Sequence, residues 1–229
     1  MSVIKLFQIN SCAYHKGIEK SFFVNPNLAI ASSYLVKNSN PYSYNMPITD
    51  KVPLEVFVEH YINTIILIQI NKEEKDTFIY SLQVALENYE DCLLRQGMNW
   101  KERILYAIMG LEAIWLTEND KETIGFKLKI RVCKILGIIG FDVNKVAKQI
   151  SIAYSIRSSY AHGSPIKSDI KKKIQKKTIS KNDLEKDILE YLRLSIIVGM
   201  NILNDNKQSF IGNMNKAIYD TTVNEELIN

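Results

Sequence analysis

From Pro53 to about residue 204 the apolar side chains return every three or four residues, and that period constrains this chain more than any other feature. Side chains repeating at this interval fall on one face of an α-helix, so the stretch must fold by packing helix faces against one another. Glycine and proline punctuate the pattern. Gly97 separates the second periodic segment from the third, Gly137 and Gly140 close the fourth, and Gly163 followed by Pro165 closes the fifth. Helices are expected over 53–70, 73–94, 101–118, 122–138, 142–162 and 182–204. The fold class expected is mainly α.

Residues 1–50 read differently. They are poor in charge and hold short β-leaning runs, VIKLFQI, SFFV and LAIASSYLV, between clusters of Asn, Pro and Ser. A small N-terminal segment, 1–50, containing short strands is therefore expected ahead of a helical domain over 51–205, with 206–229 as a C-terminal tail. Thr49 and Asp50 are candidate caps for a helix carrying Pro53 in its first turn.

With 46% hydrophobic and 24% charged residues, the composition excludes a largely disordered chain. Three cysteines, Cys12, Cys92 and Cys133, lie far apart with no CxxC and no histidine at ligand spacing. Neither a disulfide framework nor a metal site is indicated, and a reducing compartment is expected. His15 and His60 are isolated from each other and from any cysteine, and no cofactor motif is present. The first ten residues do not read as a secretory signal, and the most apolar stretch, VPLEVFVEHYINTIILIQI, is too polar for a membrane span. A cytoplasmic protein without membrane partners is expected.

The net charge of +4 conceals an uneven distribution, because 167–181 hold seven Lys and one Asp, a local +6. Such a run attracts polyanions through counterion release, although a solvated loop has the same composition. If the polyanion bound is RNA, Lys171, Lys172, Lys173, Lys176 and Lys177 are the residues that would meet its phosphates, giving affinity rather than base selectivity.

The chemistry concentrates in DVNKVAKQISIAYSIRSSYAHGSP. Its apolar residues Val143, Val146, Ala147, Ile150, Ala153 and Tyr154 form a helical stripe, and continuing that stripe one turn lands on Arg157. A guanidinium placed where the pattern calls for an aliphatic side chain needs a compensating partner. His162 follows about 140° further round an ideal helix, with Ser158 between the two in angle. Gly163 suits a left-handed C-cap, which puts His162 in the last turn, where the helix dipole favours the imidazolium. A cationic Arg, a titratable His and a Ser at a helix mouth are what phosphodiester cleavage by an internal 2′-hydroxyl requires, with His moving protons and Arg holding the charge of the phosphorane. Glu112, on the line Leu105, Met109, Glu112, Leu116, is expected to be half-buried and to pair with Arg131 or Arg157. Tyr160, at the edge of the stripe, can either pack or stack a base.

The segment IRSSYAHG resembles the signature of HEPN domains, in which Arg and His are four to six residues apart with a polar residue directly after the Arg. Two further segments in the expected order resemble the Apea-like branch of that superfamily: RILYAIMGLEAIW its helix ending in Leu-Glu-Ala, and KLKIRVCKILG the helix after it. The resemblance covers roughly 73–205. It implies an antiparallel helical bundle and a homodimer whose signature helices face each other across one cleft. It also implies a metal-independent endoribonuclease producing a 2′,3′-cyclic phosphate, of the kind found among toxins and effectors of antiviral defence, with an antitoxin or defence-system partner. Arg157 and His162 then form the catalytic pair, with Ser158, Glu112 and Tyr160 auxiliary. The alternative is a non-catalytic nucleotide- or RNA-binding HEPN module serving as sensor or dimerisation domain. Many members carry Asn after the Arg, and Ser158 lacks the two amide donors that Asn supplies.

Overall fold

The computed structural model describes residues 48–70, 78–95, 97–175 and 180–217, and the chain divides into two compact units between Ile70 and Asn71. The expected N-terminal strands lie outside the described residues. Among those described there are eight helices and no strand.

The first unit contributes α1, Ile48–Ile70. It begins five residues before Pro53, so Thr49 and Asp50 lie inside the helix rather than ahead of it. No described helix is long and apolar enough to cross a membrane.

In the second unit α2 is Phe78–Leu94, α3 Trp100–Trp115, α4 Ile124–Ile138, α5 Val143–Ala161, α6 Ser168–Gln175, α7 Lys181–Asn201 and α8 Lys207–Lys216. Local chemistry sets several of the starts. Asn99 caps α3 through a reciprocal box: its side chain accepts from the Lys101 and Glu102 N–H groups, while Glu102 accepts from the Asn99 N–H at 2.9 Å. Asp142, Ser180 and Asn206 cap α5, α7 and α8 in the simpler way. The third helix stops at Trp115 rather than 118, since Thr117 and Asp120 form a tight turn in which the Asp120 carboxylate accepts from the Thr117 N–H and hydroxyl.

Helix α3 runs through the middle, packing against α2, α4, α5 and α7. Ile104, Ala107, Ile108, Leu111, Ile114 and Trp115 are all buried, covering more than one face, which is what a central helix requires. A Cβ on Gly110 would lie 2.8 Å from Leu192, so its absence lets α3 and α7 approach closely. The buried indole of Trp115 donates to Ser195 Oγ at 2.9 Å and meets Phe78 edge-on.

Two elements depart from expectation. Part of the lysine-rich run is helical: Ile170 of α6 is buried while Lys171, Lys172 and Lys173 are exposed, so one apolar residue per turn pins a basic helix to the surface. The expected C-terminal tail contains α8, which packs on α4 and puts Phe210 edge-on to Phe78. Its short apolar face, Ile211 and Met214, is fully covered, and Lys207 anchors its start by donating to Ser81 Oγ at 2.7 Å and to the Ala113 carbonyl at 2.6 Å.

Candidate functional site

The buried face of α5 runs through Val146, Ile150, Ala153 and Ile156, turned by about one residue from the stripe expected from the sequence. Val143 is exposed, Ala147 and Tyr154 are half-buried, and Arg157 sits on the margin of the face. Its side chain keeps 26% exposure. Arg157 is thus neither a core residue nor a free surface cation.

Glu112 of α3 supplies the compensating partner, accepting from Arg157 Nη2 at 2.8 Å with its own side chain 16% exposed. Burial pushes the Glu112 carboxyl above the usual carboxylate range, and the neighbouring guanidinium offsets only part of that rise. Tyr154, one helical turn before Arg157, carries the guanidinium 6.0 Å above its ring centre. The ring is tightly held, since a Cβ on Gly125 at the start of α4 would fall 2.7 Å from it. Arg157 Nε is buried without a hydrogen-bond partner, and with one Nη2 hydrogen on Glu112 the guanidinium keeps further donors on Nη1 and Nη2 that bond nothing among the described residues.

The two cations considered as partners for Glu112 are thereby told apart. Arg131 turns away, donating to Asp120 at 2.5 and 3.0 Å, to the Trp115 carbonyl at 2.8 Å and to Asn215 at 3.1 Å. Its spacing from Glu112 in the sequence carried no sign of this, because Asp120 lies in a turn and Asn215 in a helix that had not been expected.

Helix α5 ends in a Schellman motif: the Gly163 N–H reaches the Tyr160 carbonyl at 3.1 Å and the Ser164 N–H the Ser159 carbonyl at 2.8 Å, with Gly163 at φ +63°. His162 is therefore the C-cap itself rather than a residue of the last turn. Its N–H bonds the Ser158 carbonyl at 3.2 Å, and its imidazole is exposed. Ser158 is half-buried.

Tyr160 points toward the start of α3 and donates to Glu102 Oε1 at 2.7 Å. That bond raises the Tyr160 phenol and lowers the Glu102 carboxyl, which is also held down by the Asn99 N–H. The capping box was readable as Asn-x-x-Glu, but the second task of Glu102, tying down the end of α5, depends on the fold. Lys171, Lys172 and Lys173 point to solvent from α6. Lys176 and Lys177 lie outside the described residues. Among those described, no hydrogen bond or ion pair joins Arg157 to His162, and no group of three His, Cys, Asp or Glu side chains is gathered to hold a metal ion.

Compared with known proteins, the chain matches no family model, no curated sequence and no solved structure.

Proposed function

We propose that this protein is a metal-independent endoribonuclease of HEPN type, working as a homodimeric effector or toxin in antiviral defence with a composite Arg157/His162 site. The reading draws on the IRSSYAHG resemblance. The observation that carries it is a partly exposed Arg157, braced by Glu112 and Tyr154, on the same helix that an exposed His162 caps.

In the proposed reaction an RNA 2′-hydroxyl attacks the adjacent phosphorus. The O2′–P bond forms, the P–O5′ bond breaks, and the products are a 2′,3′-cyclic phosphate and a free 5′-hydroxyl. A histidine accepts the 2′-hydroxyl proton and a proton is returned to the leaving O5′; a second protomer supplies a second His162 for that purpose. Arg157 Nη1 donates to the phosphorane oxygens, and the brace from Glu112 means that little of its conformational freedom is lost at that moment.

His162→Ala in the full chain is expected to abolish cleavage of a labelled RNA while leaving folding and self-association unchanged, because the imidazole is exposed and the cap depends on backbone groups. Cleavage at the parental rate by that variant would remove the assignment. The second reading, a binding module without catalysis, is favoured by one feature: Glu112 already engages the Arg157 guanidinium and tempers its charge. It calls for RNA binding by the native protein with no cyclic-phosphate product.

A further inference from the structure

The end of the bundle where α5 stops and α3 and α7 start carries more than the signature residues. Four contacts bring this end together. Tyr160 bonds Glu102, Arg103 pairs with Glu185 at 2.9 Å, Lys181 lies 5.7 Å above the Trp100 ring, and Arg95 donates to the Tyr106 hydroxyl at 2.7 Å while lying 5.8 Å above that ring. Because α5 ends and α7 begins here, the connection between them, including α6 with its exposed Lys171, Lys172 and Lys173, starts and finishes at the same end. Trp100 and Tyr106 are half-buried, while Arg95, Lys181 and His162 are exposed.

Aromatic rings interleaved with cations on one surface are the arrangement that holds unpaired nucleotides: bases stack on the rings and the cations follow the phosphates. Of the two rings Trp100 is the better platform, having the larger π-surface and, among the described residues, no hydrogen bond to tie its indole. The Lys181 ammonium is exposed and flexibly tethered, so it can leave the indole face for a phosphate as a base arrives. A duplex offers no unstacked base to such a platform.

We infer that this end of the bundle is a subsite for single-stranded RNA, with Trp100 stacking a base of the bound strand and Lys181 and Arg95 contacting its phosphates. The inference rests on the ribonuclease reading for its substrate, and it adds that the strand is unpaired next to the Arg157/His162 pair. It places Trp100 among the binding residues, away from the reacting atoms.

The test uses the full-length His162→Ala protein, a 12-nucleotide mixed-sequence single-stranded RNA, and the same RNA annealed to its complement. The chain has two tryptophans, and Trp115 is fully buried, so quenching of indole emission by RNA reports on Trp100. The single strand is expected to quench and to bind at least ten-fold more tightly than the duplex. Adding Trp100→Ala should remove the quench and weaken binding about ten-fold, whereas Trp100→Tyr should keep most of the affinity, which separates lost stacking from lost folding. Equal binding of single strand and duplex, unchanged binding after Trp100→Ala, or no RNA binding at all overturns the inference. The two readings fail separately: quenching by single strands without cleavage by the native protein removes only the nuclease. Cleavage by native protein that Trp100→Ala leaves untouched removes only the platform.

Discussion

At the scale of single residues the informative group is Glu112. A largely buried carboxylate is unfavourable unless a cation faces it, and Arg157 is that cation at 2.8 Å. Under the proposed mechanism Glu112 acts as a positioning residue, through Arg157 alone. Glu112→Gln preserves an acceptor for Nη2 and should lower kcat only a few-fold, while Glu112→Ala releases the guanidinium and should lower it by about ten-fold or more. The pH dependence separates positioning from stability. Since Glu112 titrates above the ordinary carboxylate range, native kcat should fall more steeply on the acid side than that of Glu112→Gln, as the carboxyl takes up its proton and the pair weakens. Steady-state rates from pH 4 to 8 on the three proteins measure this, and equal kcat for native and Glu112→Ala would end the positioning role.

At the scale of elements, the site depends on how closely α4 approaches α5. The residues KLKIRVCKILG form a helix whose Leu128, Val132 and Leu136 are fully buried, and its start is pressed against Tyr154 because Gly125 has no side chain. Gly125→Ala puts a methyl group 2.7 Å from a ring that cannot move without disturbing Arg157. The expected result is a destabilisation of about 1–3 kcal/mol together with a loss of activity larger than that of Gly110→Ala, which crowds Leu192 of α7 rather than Tyr154. Chemical denaturation beside RNA cleavage measures both, and a fully active Gly125→Ala protein would show that Tyr154 contributes nothing to the site. Helix existence was readable throughout this region, since the 3.6-residue period and the glycines at 97, 140 and 163 mark it in the chain itself. Less readable was helix rotation. Arg157 falls near the centre of the sequence stripe yet sits at the margin of the buried face, because α3 lies to one side of α5 and no one-dimensional pattern records that direction.

At the scale of the molecule, stability is tied to pH by two groups that close one region of the bundle. Burial raises the Asp120 carboxyl, but the Arg131 hydrogen bonds, the Thr117 N–H and Lys127 outweigh it and hold the group well below the usual carboxylate range. A depressed carboxyl contributes stability that is present above its unfolded value, about 3.9, and is lost as pH falls toward the native value. Lys207 is the converse: burial brings its amine down from 10.5 to about 8. Between those values the unfolded chain still holds a proton that the native protein has released, so stability rises with pH across that window. Urea midpoints measured from pH 2 to 10.5 should therefore drop steeply below about pH 4, and between about pH 8 and 10.5 the native midpoint should rise relative to that of Lys207→Met. Asp120→Asn should cost about 3–5 kcal/mol at neutral pH, because it leaves a buried guanidinium without its charge partner. A neutral-pH midpoint unchanged by Asp120→Asn would contradict this account.

Local chemistry in the chain determined where most helices start and stop, because an Asn-x-x-Glu box, an Asp or Ser cap and a glycine at positive φ act within a few residues of themselves. It likewise placed Arg157 near a face and His162 beside a glycine stop. Tertiary structure alone decided that Glu112 belongs to Arg157 and Arg131 to Asp120, that α6 and α8 are helices, and that Trp100, Tyr106 and Lys181 share one end with His162. Those outcomes depend on which helices become neighbours, and the packing that settles neighbourhood joins residues dozens of positions apart.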